Sequence, residues 1–428
     1  DEILKDRFSL LDDLKEEKED NDFTLSIGIA SGIDNYNRLF EMASKALDVA
    51  LSRGGDQAVA STYEDNLQFF GGQTETKEKK NSVQSRVMSN SLKALVEEAK
   101  NVYIMGHNIA DLDAIGSALG LYCFVKGVAK NTPVKIIYDE FKLENKTKKA
   151  FKATFTKEQI NEMCIAPSEA LDKIEPKDLL IVTDFHSLET AMYPNLIKKA
   201  EHIAIIDHHR RSMTSIDNPE FSYIEPSASS ASELVVEMIR YASCQIDVPE
   251  DIATFMLAGI ILDTNYYRNH IGARTYDASY ILKTFGADNN LADSFLKVEL
   301  EEYALKNSIM SRATYPCAGV LLTYASNDEI VEQAMLARVA TEALQISGIN
   351  ASFVIGRISD RVIGLSSRSD GSISCQLICE TFEGGGSYTA AAAKFKDSTN
   401  VDIVRKRVEE VIKQYVNGLR QKKIIGGD

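Results

Sequence analysis

The sequence predicts an α/β protein: a parallel, doubly wound sheet domain, then a smaller α/β domain, with a partial α/β fragment in front. Three observations carry this. Between residues 102 and 206, short and nearly all-apolar runs alternate with helix-length segments, the pattern of strands covered on both faces. A second strand–helix block begins near Gly319. The stretch QTETKEKKN, Gln73–Asn81, has no apolar residue and reads as a linker behind the first region.

In chain order, the first region reads as helix Phe8–Lys18, strand Thr24–Ala30, helix Tyr36–Leu51 and a last short strand Gln57–Ala60. Ser82 then caps a helix carrying Val83–Lys100. Apolar strands follow at Val102–Met105, Val134–Tyr138, Leu179–Thr183 and Ile203–Ile206, with helices Leu112–Lys126 and Tyr193–Ala200 among them. Helices Ser230–Ala242 and Ile252–Leu262 complete this block, and Glu299–Ala313 reads as a connecting helix. Strands Val320–Tyr324, Ala351–Ile358 and Arg361–Arg368 open the second block. The expected divisions are 1–72, a linker 73–82, a catalytic domain 83–298, a connecting helix 299–318 and a substrate domain 319–418. The tail Leu419–Asp428 has no assigned role, and no internal repeat is found.

Composition bounds the function. The 428 residues are 44% apolar with charges mixed through the chain, an ordinary soluble globular composition for about three domains. No apolar run approaches the roughly 20 residues of a membrane span, and no secretory signal opens the chain. It starts at Asp1 rather than Met and is read as a soluble fragment. A net charge of −15 gives no general steering toward duplex nucleic acid. A nucleotide must therefore be drawn by something local, and bound divalent cations invert the sign of a site in this way. The six cysteines are scattered. Only Cys375 and Cys379 are close, and without a second pair at zinc spacing they read as reduced thiols of a cytoplasmic protein.

The chemistry gathers where strands stop. Val102–Met105 runs into Gly106-His107-Asn108-Ile109-Ala110-Asp111-Leu112-Asp113. Leu179–Thr183 ends in Asp184, with His186 two residues on; Ile203–Ile206 ends in Asp207-His208-His209-Arg210; helix Ile252–Leu262 ends in Asp263. Singly, such residues are solvated turns, helix caps or satisfied hydrogen bonds. Jointly they place four of the six histidines at the carboxyl ends of one sheet, where open parallel sheets bind ligands. Oxygen and imidazole donors without sulfur suit Mn²⁺ or Mg²⁺ over structural zinc. The carboxylates are too many for one ion. Two ions sharing one aspartate suit phosphoryl displacement, with a bridging water acidified to hydroxide near neutral pH. Arg210, Arg274 and Arg368 are the expected anion-binding cations.

These motifs resemble the DHH phosphoesterase superfamily, with Asp207-His208-His209 as its signature. By that resemblance His107 and Asp111 hold a first metal, Asp113, His208 and Asp263 a second, and Asp184 bridges them. Asp207 orients His208 from behind, and His209 contacts the phosphate or leaving oxygen. Ser366-Ser367-Arg368-Ser369 is similar to the SxRS strand of the DHH-associated substrate domain. Gly384-Gly385-Gly386 is similar to that domain's glycine-rich helix entrance, where backbone N–H groups approach a phosphate. Leu25–Gly32, LSIGIASG, and Ala43–Ser61 resemble the C-terminal half of a degenerate GGDEF domain, an order typical of membrane-anchored cyclic di-AMP phosphodiesterases.

The resemblance implies two Mn²⁺ ions, with Mg²⁺ or Co²⁺ as substitutes, a cyclic dinucleotide substrate and a homodimer. It also implies that this is the cytoplasmic part of a bacterial membrane protein. Hydrolysis of cyclic di-AMP to 5′-pApA is the expected activity; a pApA or nano-RNA hydrolase and a non-catalytic nucleotide sensor are its rivals. Three positions depart from the pattern: Ser387 and Tyr388 follow the glycines where a histidine is usual, His270 replaces a second arginine near Arg274, and Ala110 replaces a proline.

Overall fold

The computed structural model describes residues 8, 25–52, 57–62, 67–71, 82–210, 214–396 and 398–425. They divide into two compact units, Asp1–Lys297 and Val298–Asp428. The expected helix Phe8–Lys18, apart from Phe8, and the linker Gln73–Asn81 lie outside the described residues.

In the first unit, β1 (Ile27–Ser31) pairs in parallel with β2 (Gln57–Thr62), and β2 pairs antiparallel with β3 (Gln68–Gly71). The helix Tyr36–Ser52 buries Ala46 and Ala50 against Val59. The sequence reading ended this region at β2. QFFG is too short to show alternation, so β3 is visible only through its hairpin pairing.

The main sheet is parallel throughout and has the order β6-β5-β4-β7-β8-β9. Its strands are β4 (Val102–Met105), β5 (Val134–Ile137), β6 (Cys164–Ile165), β7 (Leu179–Thr183), β8 (His202–Asp207) and β9 (Phe221–Ile224). β4 and β7 are buried along their whole length, which explains their unbroken apolar runs. The order reverses between β4 and β7, and the crevice at such a switch point is where ligands bind. Two largely buried helices, Leu112–Val128 and Glu250–Asp263, pack closely on each other and carry Asp113 and Asp263. Phe255 anchors the second among Phe155, Phe295 and Phe151, with ring centroids 5.5, 4.8 and 6.0 Å away.

The second unit opens with helix Leu300–Met310. Its sheet has the order β10-β11-β12-β13-β15-β14. The strands are β10 (Thr314–Cys317), β11 (Val320–Tyr324), β12 (Ala351–Ser359), β13 (Val362–Ser369), β14 (Gly385–Gly386) and β15 (Ala390–Phe395). Helices Cys375–Glu380 and Val401–Ile425 close a core around Phe353, Leu365 and Phe395. β15 reads AAAAKF, a run of helix formers, yet it is a strand because β13 needs a partner and Ala391, Ala393 and Phe395 supply its buried face.

Because Phe255 holds the helix that ends in Asp263, Phe255→Ala should lower unfolding free energy by about 3–5 kcal/mol in urea titration. A cost under about 1 kcal/mol would show that this aromatic cluster does not anchor the helix.

Candidate metal centre

The loop after β4 delivers three of the expected ligands. Ile109, a β-branched residue at φ 59°, turns the chain sharply, and its strain marks a constrained loop. Asp111 then caps helix Leu112–Val128, its Oδ1 accepting from the backbone N–H of Asp113 (2.9 Å) and Ala114 (3.1 Å). Asp113 follows in the first turn, fully buried. Its oxygens accept from the N–H groups of Ala231 (2.7 Å) and Ser232 (2.9 Å), at the positive end of helix Ala231–Arg240. Gly259, on the Glu250–Asp263 helix, faces this carboxylate: a Cβ there would lie 2.7 Å from Asp113 Oδ1.

From the neighbouring strand, Asp184 sits at φ 65° directly after β7 and donates its N–H to Ile206 O at 2.9 Å. That left-handed residue turns the carboxylate into the crevice between two groups of donors. His107, Asp111 and Asp184 form one group, and Asp113, Asp184, His208 and Asp263 the other, overlapped by a third set of Asp184, His208 and His209, each with ligand atoms within 4.8 Å of one another. His107 Nε2 lies 3.4 Å from Asp184 Oδ2 and 3.8 Å from Asp111 Oδ1. His208 Nε2 lies 3.3 Å from Asp184 Oδ1 and 3.1 Å from Asp263 Oδ2.

Two features fit divalent cations. First, Asp184 Oδ1 and His208 Nε2 are buried and form no hydrogen bond in spite of these distances. They face a common point rather than each other, as ligands around an ion do. Second, the electrostatics lack positive charge. Burial disfavours a charged ring, yet the Asp111 and Asp184 carboxylates raise His107 to about 11. Asp184 and Asp263 likewise hold His208 well above the ordinary imidazole range against burial. Burial, then Asp263 and Asp184, push the Asp113 carboxyl well up. Burial lifts Asp263 to about 6 although His208 opposes it.

Asp207 requires a correction. It was expected to orient His208, but its Oδ2 meets His186 Nδ1 at 2.5 Å, and its Oδ1 meets His209 Nδ1 at 2.8 Å and the His209 N–H at 3.1 Å. The side chain leaves β8 on the side of His186 and His209. The bonds to the two imidazoles hold the buried carboxyl below the ordinary range against the cost of burial. His186, two residues past Asp184, thus belongs to the site's support; the sequence noted it without a role. His209 is half-exposed, its ring fixed by Asp207, and Arg210 beside it is exposed.

Arg274 is corrected as well. Its guanidinium is only 5% exposed and makes a bidentate pair with Glu237, two bonds of 2.8 Å, with Glu233 at 3.6 Å. It closes a buried ion pair under helix Ala231–Arg240 and is not an open anion site.

In the second unit, Ser366 is buried with its hydroxyl accepting from Gln333 Nε2 at 2.7 Å, so it supports the sheet rather than facing solvent. Arg368 is half-buried and donates to Ser367 O at 2.8 Å; burial lowers its pKa, and no carboxylate among the described residues pairs with it. Gly384-Gly385-Gly386 is not a helix entrance. Gly385 and Gly386 form β14 against Ala392 and Ala391, and a Cβ on Gly384 would meet Ala392 O at 2.3 Å. Close strand packing requires Gly384 and Gly386, where a Cβ on the latter would meet Ala390 O at 2.4 Å, while Gly385 faces open space. Ser387 ties the hairpin, its N–H reaching Ala390 O at 2.7 Å and its Oγ accepting from Ala390 N–H at 3.1 Å.

Residues 101–260 match the DHH family, N-terminal domain, and residues 318–414 the DHHA1 domain. Residues 1–69 match the GGDEF domain of proteins like the cyclic-di-AMP phosphodiesterase GdpP. The chain is 35% identical over 419 residues to the cyclic-di-AMP phosphodiesterase GdpP of Geobacillus thermodenitrificans, covering 97% of this chain and 63% of that protein. It is 33% identical over 411 residues to the cyclic-di-AMP phosphodiesterase PdeA of Listeria monocytogenes, 96% of this chain and 62% of that one. The chain therefore spans less than two thirds of these relatives. An exopolyphosphatase-related protein from Bacteroides fragilis shares the fold, with TM-score 0.60 and 20% identity over 77% of this chain and 97% of that one.

The contact at Gly259 gives a test that does not depend on turnover. Gly259→Ala should displace the Asp113 carboxylate and weaken Mn²⁺ binding at one of two sites roughly 10–100-fold in calorimetry, the usual scale for ligand-supporting groups. Unchanged affinity at both sites would show that Asp113 is not a ligand.

Proposed function

We propose, from the matches of residues 101–260 to the DHH family and 318–414 to the DHHA1 domain, that the chain is a dimetal phosphodiesterase of that family that hydrolyses cyclic di-AMP to 5′-pApA. The observation that carries the proposal is the pair of histidine–carboxylate groups sharing Asp184. On this reading His107 and Asp111 hold one divalent ion, Asp113, His208 and Asp263 the other, and Asp184 both. Such ions, Mn²⁺ by preference for this donor set, would neutralise the phosphate and lower the pKa of a water toward neutrality. His209 has its Nδ1 engaged by Asp207, so its proton exchange runs through Nε2, where it can protonate the departing ribose oxygen. Arg210 and Arg368 remain as phosphate-binding residues of this reading, with Gly385 and Ser387 beside the hairpin.

The substrate assignment is supported by relatives named for cyclic di-AMP at 33–35% identity over nearly the whole chain. The same reading includes a homodimer and a longer, membrane-attached protein. No helix of the described residues is long and apolar enough to cross a membrane. A relative at 30% identity from Aster yellows witches'-broom phytoplasma is named a membrane protein fusion.

Incubation with Mn²⁺ and either cyclic di-AMP or pApA, followed by chromatography, tests the proposal. Conversion of cyclic di-AMP to pApA, faster than pApA to AMP, is the expected result. Cleavage of pApA alone would make the chain a linear-dinucleotide hydrolase. Turnover of neither, with binding retained, would make it a sensor.

A further inference from the structure

In the first unit, a cavity of about 580 Å³ opens at the carboxyl end of β5, lined by Tyr138, Asp139, Pro167, Ser168, Tyr193 and Asn195 among others. Its character is unlike that of a phosphate site. The lining holds no lysine, arginine or histidine, while Asp139 and Glu140 contribute carboxylates. Phosphate is excluded by like charge. What remains is a mixed apolar and hydrogen-bonding surface suited to an uncharged, half-aromatic ligand. The Tyr138 ring is stacked on Phe151, centroids 5.1 Å apart, so its position is fixed. Its hydroxyl is buried with no hydrogen-bond partner among the described residues, an uncommon state for a buried polar atom. Tyr193 donates its hydroxyl to Asp139 Oδ2 at 2.5 Å, and Asp139 Oδ1 accepts the Phe141 N–H at 2.9 Å. Asp139 is thereby held rigid while keeping lone pairs for hydroxyl donors. Asn195 and Ser168 are exposed at the rim and offer both donor and acceptor groups.

The cavity is also tied to the metal loop. Ala110 N–H donates to Lys142 O at 2.8 Å, and Glu144 N–H to Ala110 O at 3.0 Å, from the segment that follows Asp139 and Glu140. On the other side Asn108 N–H donates to Thr190 O at 2.7 Å, and His107 bridges Ala191, two residues before Tyr193. Two residues of extended chain span at most about 7 Å. The cavity and the first metal group are therefore neighbours joined by both walls.

We propose that this cavity is a nucleoside subsite of the metal centre. The base lies against the aromatic and proline walls, its edge reads Asn195 and Ser168, and the ribose hydroxyls donate to Asp139. This rests on the cyclic di-AMP reading above and extends it to the part of the substrate that carries no charge.

Adenosine is the probe. It should bind the wild-type chain, followed by NMR line shifts without metal, and should inhibit cyclic di-AMP hydrolysis competitively. Ser168→Trp fills the cavity from an exposed position, and Asn195→Ala removes an edge contact with less demand on packing. In the former, adenosine binding should be lost and KM for cyclic di-AMP should rise at least tenfold. In the latter, both effects should have the same sign but be smaller, with melting curves unchanged. Failure of adenosine to bind the wild type overturns the subsite whatever the activity. So does an unchanged KM in two folded variants. If cyclic di-AMP is not cleaved at all, the substrate reading fails, and adenosine binding that Ser168→Trp abolishes would still establish the cavity as a nucleoside site.

Discussion

The carboxylate of Asp184 is shared by two groups of donors, and much of the first unit serves to hold it there. Placing four aspartates in one largely buried crevice is unfavourable unless positive charge arrives with them. The carboxylates raise His107 and His208, and burial raises Asp113 and Asp263, while His107 holds the Asp111 carboxyl down to about 2 against burial. The left-handed backbone at Asp184 and Ile109 shows that the scaffold accepts local strain to keep this arrangement.

The scaffold supplies the compensation. The switch point between β4 and β7 brings His107, Asp111 and Asp113 beside Asp184, because each leaves the carboxyl end of an adjacent strand. β8 adds His208 and His209 next to β7. The start of helix Ala231–Arg240 offers two N–H groups to Asp113, so this carboxylate is also a helix-terminal acceptor. Helix Glu250–Asp263 brings Asp263, and the missing side chain of Gly259 leaves room for Asp113. Loss of any of these supports should be felt first in ion affinity and only then in folding.

The parts of this that were legible in the sequence are those set by local pattern. Apolar strands ending in acid or imidazole clusters were readable at Met105, Thr183 and Ile206, since parallel-sheet strands announce themselves by continuous hydrophobicity. The grouping of His107 with Asp111 and of Asp113 with His208 and Asp263 came from family resemblance, and spacing alone could not assign it. Three features were not legible. Asp207 pairs with His186 and His209 because of the direction its side chain takes from β8, which no spacing encodes. Arg274 looks like a free cation until Glu237, 37 residues earlier, is seen across from it. The glycines at 384–386 have the composition of a phosphate loop, and only the pairing of β14 with β15 shows that Gly384 and Gly386 make room for a strand.

The central claim is that one aspartate joins two ions, and electron paramagnetic resonance of the chain loaded with Mn²⁺ tests it most directly. Two Mn²⁺ ions bridged by the Asp184 carboxylate should give an exchange-coupled spectrum in the wild type. In Asp184→Asn the coupled signal should disappear, leaving the spectrum of isolated ions at reduced occupancy. A wild-type spectrum of isolated Mn²⁺ only, or a coupled spectrum that survives in Asp184→Asn, would contradict the account.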